Sequence, residues 1–197
     1  MADNRHVPQG RISAEGREAS LAAVRHEGAE DWTALLARAL TVREEWDHAA
    51  AELDESEAEP GPNDGPWNAW HLLNHVGGFT ACDAASLRAL AAEEPAEIDP
   101  GLQWQGDDKT FLELRSGAIA GWDDYIAAVT EATIMQPDGG TATHPFFGPL
   151  TAREFIAFTL SHARDHARQM RALRGLEEGE NPGDSAGDLG RRRQTAH

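Results

Sequence analysis

Four stretches of this chain repeat apolar residues at every third or fourth position, and clusters of proline and glycine cut between them. The backbone is thereby driven towards long helices that share one core. The first stretch begins at Glu30 and aligns Trp32, Leu35, Leu36, Ala39, Leu40, Trp46, Ala50 and Leu53, until Pro60-Gly61-Pro62-Asn63-Asp64-Gly65 stops it. In the second, Pro66 suits a first helical turn, and Trp67, Trp70, His71, Asn74, His75, Phe79, Cys82 and Leu87 follow on helical spacing to about Ala92. A third begins near Asp107 with Phe111, Leu114, Ala118, Trp122, Ile126, Val129 and Ile134 on one side, and ends before Pro137-Asp138-Gly139-Gly140. The fourth opens on Thr151-Ala152-Arg153-Glu154, a capping box in which hydroxyl and carboxylate each satisfy a free backbone donor. It aligns Phe155, Phe158, His162, His166, Gln169, Met170 and Leu173, and stops around Arg174-Gly175. No segment alternates with the period of a strand. The expectation is an all-α, antiparallel four-helix bundle, with helices of ~20 to 25 residues and ~30 to 37 Å.

At 197 residues with 40% hydrophobic content, the chain supports one domain with a substantial core. Residues 1–28 are read as a flexible or partly helical arm, with a short helix weighed around Arg17 to Arg25. Residues 29–175 form the bundle, and 176–197, rich in Glu, Gly, Asp and Arg, form a disordered tail. Asp and Glu total 34 against 17 Lys and Arg, and the net charge of -17 repels a phosphate backbone. Nucleic acid is therefore not an expected partner. Cys82 is the only cysteine, so no disulfide can form within the chain; it is read as a small buried residue of the second helix. The N-terminus lacks the apolar run of a signal peptide, and nothing approaches the ~20 apolar residues of a membrane span. No membrane partner and a cytoplasmic location are expected.

The chemistry lies in the histidines. Residues four apart on a helix lie ~5 to 6 Å apart at Cβ, so His162 and His166 can converge on one ion. His75, on the apolar stripe of another helix, is the best third ligand. Three neutral imidazoles leave a position open for water or substrate, which separates a catalytic site from a structural one. A single histidine on an apolar face is more often a hydrogen-bonded core residue, but burying three unpaired imidazoles without a metal is costly. His71 forms a second four-residue pair with His75, and is either a fourth ligand or a residue of the bundle mouth. Asp165 is read as a surface group or one that supports a ligand, and His144 as a turn residue rather than a pocket-rim residue. Trp67, Phe146 and Phe147 are read as packing residues before pocket-lining ones. There is no Gly-x-Ser-x-Gly elbow, no phosphate-binding glycine loop and no second cysteine for a zinc ribbon.

Two motifs carry a resemblance. Trp67-Asn-Ala-Trp-His-Leu-Leu-Asn-His75-Val resembles the second-helix motif of the DinB/YfiT-like proteins. His144-Pro-Phe-Phe-Gly148-Pro-Leu-Thr151-Ala-Arg-Glu154, followed by His162-x3-His166-x2-Gln169, resembles their fourth-helix motif. The resemblance covers about residues 30 to 175. It implies a four-helix bundle that binds zinc or nickel through His75, His162 and His166, with the active site at one end and often a homodimer. Some such proteins are S-transferases using low-molecular-weight thiols, and others act in maleylpyruvate isomerisation. The motif thus identifies a site and not a substrate. Heavy use of Ala, Gly and Arg suits a host that uses mycothiol, by association only. Three readings stand: a metal-dependent enzyme that activates a thiol or water against a small molecule, a non-catalytic metal-binding or self-protection protein, and a structural histidine cluster.

Overall fold

The computed structural model describes residues 14–51, 53–54, 67–98 and 103–174. Five helices dominate them: α1 (Ala14–Glu27), α2 (Trp32–Ala51), α3 (Ala69–Ala91), α4 (Phe111–Met135) and α5 (Ala152–Leu173). The last three each start at a capping box, on Asn68, Thr110 and Thr151. At Thr151 the hydroxyl accepts the Glu154 N–H at 3.4 Å, and the Glu154 carboxylate accepts the Thr151 N–H at 2.8 Å. Asn68 rather than the region of Pro66 begins α3; Pro66 itself, residues 1–13 of the arm and the 176–197 tail lie outside the described residues.

Helix α3 is the centre of the fold. Every residue from Ala69 to Thr80 is buried, as expected of a helix apolar on all sides. It packs against α4 and α5, while α2 covers the other sides of both. Their shared core includes Trp46, Leu73, Phe79, Trp122, Tyr125 and Phe155. Leu40, Ile134 and Leu173, expected on the inward stripes, are 52%, 78% and 40% exposed. In α2 the inward row is narrower, running through Leu35, Ala39, Val42, Trp46 and Ala49, so Leu40 falls beside it. Cys82, expected to be buried, is only half-buried on the outer side of α3.

Two further elements depart from four helices alone. The helix weighed over Arg17 to Arg25 extends from Ala14 to Glu27, packs on α5 and buries Ser20 and Val24. Three short strands, β1 (Ala96–Glu97), β2 (Ala142–His144) and β3 (Gly148–Leu150), form a sheet in that order. β1 is parallel to β2, with Ala96 opposite Ala142; β2 and β3 are antiparallel, with His144 opposite Gly148. Strands of two or three residues are too short to alternate visibly in a sequence. Gly148, at φ 72°, turns the chain back after Phe146 and Phe147. Among the described residues, no helix is long and apolar enough to cross a membrane.

Candidate metal centre

Helices α3 and α5 bring the three histidines together. His75 Nε2 and His166 Nε2 each lie 3.1 Å from His162 Nε2, and one ligand atom from each residue fits within 4.8 Å of the others. Among the described residues this is the one group of its kind. His162 and His166 stand one turn apart on α5, and His75 reaches them from the first half of α3.

The far nitrogens fix the near ones. His75 Nδ1 lies 2.9 Å from the Gln103 carbonyl, and His166 Nδ1 lies 2.8 Å from Gln169 Oε1. Both contacts require Nδ1–H, which leaves a bare lone pair on each Nε2 when the ring is neutral. His162 Nε2 can carry one proton and satisfy one of those lone pairs, so the other is orphaned unless a cation enters. Nitrogens 3.1 Å apart can both reach one ion through bonds of ~2.1 Å. The residues present therefore fit a divalent ion.

Burial keeps the rings neutral. It lowers His75 to a pKa of about 3, helped by the neighbouring His166 and opposed by the Gln103 carbonyl. His166 falls to about 4, with Gln169 resisting. His162 is driven well below its ordinary value by burial first, then by His166, His75 and His144. Neutral imidazole is the ligand form.

Aromatic rings enclose the group. Phe79 lies 5.3 Å from His75, 4.9 Å from His162 and 5.9 Å from His166 between ring centroids, on the side towards the core. Trp67 stacks on His166 at 5.7 Å, and Phe158 stacks on His162 at 5.7 Å. Trp104 tilts against His75 at 5.0 Å. His75 and His166 are buried, and His162 is partly buried, the least covered of the three.

The other candidates border the group without joining it. His71 lies outside the group: its Nδ1 is 2.8 Å from Asn68 Oδ1 in the capping box of α3, and its ring stacks on Trp67. His144, expected in a turn, ends strand β2, and its ring lies 4.5 Å from Phe158. Its Nδ1 accepts the N–H groups of Phe146 at 3.1 Å and Phe147 at 3.3 Å, and burial lowers its pKa to about 4. Asp165 is buried rather than on the surface, 3.0 Å from Arg168, and is not a member of the group. Gln169 was legible as the next inward residue after His166, though its bond to the ring was not. Gln103 carried no signal, because its carbonyl meets His75 from 28 residues away.

Fold and site together define a mostly helical protein whose central helices bring three neutral histidines to one point able to hold an ion. The model of the DinB superfamily matches residues 39–170, a span that includes all three histidines. The chain belongs to the DinB superfamily. Searches among curated proteins and among solved structures returned no match.

Proposed function

We propose that His75, His162 and His166 hold a divalent ion, zinc or nickel, and that the protein is a metal-dependent enzyme activating a low-molecular-weight thiol, or water, against a small molecule. The convergence of three Nε2 atoms, two of them fixed as lone pairs by Gln103 and Gln169, carries this reading. In this reading α2 to α5 are the antiparallel four-helix bundle of the superfamily. A bound ion supplies Lewis acidity, which lowers the pKa of a thiol or a water beside it. The chain's own residues orient and enclose. Trp67, Phe79 and Phe158 wall the site, and His162 is the least covered of the three ligands.

The surroundings favour a thiol over water. Trp67, Phe79, Trp104 and Phe158 lie against the three histidines and give the site an apolar lining suited to a thiol. A thiol, ordinarily with a pKa near ~8.5, needs only a modest shift to react as thiolate and no separate base. The deep burial of His75 and His166 supports a second reading, in which the ion is bound without turnover.

Elemental analysis of protein purified without a polyhistidine tag tests the first step. About one zinc or nickel per chain is expected, and its loss in His162→Ala; no stoichiometric metal in the parent protein would remove the proposal. Metal-replete protein is then assayed with several thiols and a panel of electrophiles. Thiol consumption that disappears in His162→Ala supports the S-transferase reading, thiol-independent cleavage the hydrolase, and neither the binding protein.

A further inference from the structure

We infer that Asn74 is a positioning residue for the metal centre: by clamping the 103–106 loop onto α3 it delivers the Gln103 carbonyl to His75, and so selects which nitrogen of His75 faces the ion. This rests on the metal-binding reading above. Asn74 is fully buried, with no exposed surface. Its Oδ1 accepts the backbone N–H groups of Gln105 at 2.7 Å and Gly106 at 3.1 Å, and its Nδ2 donates to the Gly106 carbonyl at 2.9 Å. Three of the amide's four hydrogen-bonding positions are thus used on one loop.

The rest of the loop is built to the same end. At Gly78 the helix has no side chain, and a Cβ there would overlap Trp104 N and the Gln103 carbonyl carbon and sit 2.6 Å from the Gln103 oxygen. The backbone of the loop therefore lies directly on α3. Gln105 Nε2 bonds the carbonyls of Leu73 and Leu114, each at 3.0 Å, and ties the loop to both α3 and α4. What this holds in place is the Gln103 carbonyl, 2.9 Å from His75 Nδ1.

A neutral imidazole has one N–H, and an acceptor held at Nδ1 keeps it there. His75 Nε2 then presents its lone pair to the point shared with His162 and His166. Without the carbonyl only the contact with His162 Nε2 is left to bias the ring, and a metal has to bind against the fraction of molecules that carry the proton on the Nε2 of His75. A loop that merely stabilised the fold would leave that ratio unchanged.

The test uses metal-free full-length protein, with the His75 tautomer read by long-range 1H–15N NMR and the Zn2+ dissociation constant measured by competition with a chelator. The parent protein is expected to show Nδ1–H at His75. Asn74→Ala, which removes the loop's hydrogen bonds to α3, and Gly78→Ala, which pushes the loop off the same helix, are expected to give mixed tautomers and, with the ring's orientation and basicity lost as well, Zn2+ affinity weaker by roughly 10- to 100-fold. Thr151→Ala, which destabilises α5 without touching the loop, should change neither. Nε2–H at His75 in the parent protein overturns the inference even if no variant folds. So does either variant if it folds with Nδ1–H retained and Zn2+ affinity unchanged. Parent protein that binds no Zn2+ overturns the metal centre itself, a failure read separately from the tautomer.

Discussion

Burial gives individual side chains of this protein opposite responses to pH. An unfolded chain protonates its histidines near their ordinary value of 6.5, whereas folded His75 and His166 stay neutral to about 3 and 4. Their contribution to stability is complete above pH 6.5 and is lost as the pH falls through about 4 for His166 and about 3 for His75. Because the folded ligands resist protonation, bound Zn2+ should remain at pH 5.5 in equilibrium dialysis. Release at 6.5 would mean that the ligands titrate as exposed imidazoles. Asp83 acts in the other direction. It is buried beside Thr159, whose hydroxyl donates to it at 2.8 Å, and burial raises its carboxyl from 3.8 to about 7. Below pH 3.8 it is neutral whether the chain is folded or unfolded. Between 3.8 and 7 the unfolded chain releases a proton that the folded chain keeps, so stability falls as the pH rises. Asp83→Asn should therefore stabilise metal-free protein at pH 7.5, by an amount on the order of a few kcal/mol at most, and much less at pH 5. Urea midpoints of both proteins at the two pH values check this, and an equal difference at both would contradict it.

The helices were legible where their signals are local. The capping box at Thr151, the inward row of α5 and the apolar spacing of α2 to α4 all lie within one element, where periodicity and cap chemistry act. Strand pairing was not, since Ala96 meets Ala142 across an intervening helix. Nor was the use of Gly121 inside α4, where a glycine costs roughly 0.5–1 kcal/mol of helix stability. Its value lies in the contact with α3: a Cβ there would overlap Thr80 Oγ1 and stand 2.8 Å from the Gly77 carbonyl. The two helices cross too closely for a methyl group. Gly121→Ala should gain helix propensity yet lose stability overall, by about 1–3 kcal/mol from overpacking. Denaturant unfolding decides the sign, and a stabilised variant would show that the helices separate easily.

Across the whole molecule, an ion held by His75, His162 and His166 would cross-link α3 and α5. An ion that binds the folded chain at ~100 times its dissociation constant adds about 2.7 kcal/mol. For a chain of this size that corresponds to roughly 5–10 °C in melting temperature. Chelator should lower the melting temperature of metal-loaded protein by about that much, and should have no effect on His75→Ala. An equal effect on both would place the ion elsewhere. The sequence by itself determined the long helices, the inward placement of the histidine pair and the candidacy of His75, because spacing along one helix dictates which side chains share a face. It also carried the two motifs of the superfamily. Only the tertiary structure decided that His71 serves a helix cap and not the ion, that Asp165 is buried, and that a three-stranded sheet and a helix from Ala14 to Glu27 join the fold. It alone brought His75 to within 3.1 Å of His162, a residue 87 positions away. It alone set the Gln103 carbonyl on the far nitrogen of His75. Those choices depend on how helices and a loop pack in three dimensions, and no periodicity within a single segment encodes them.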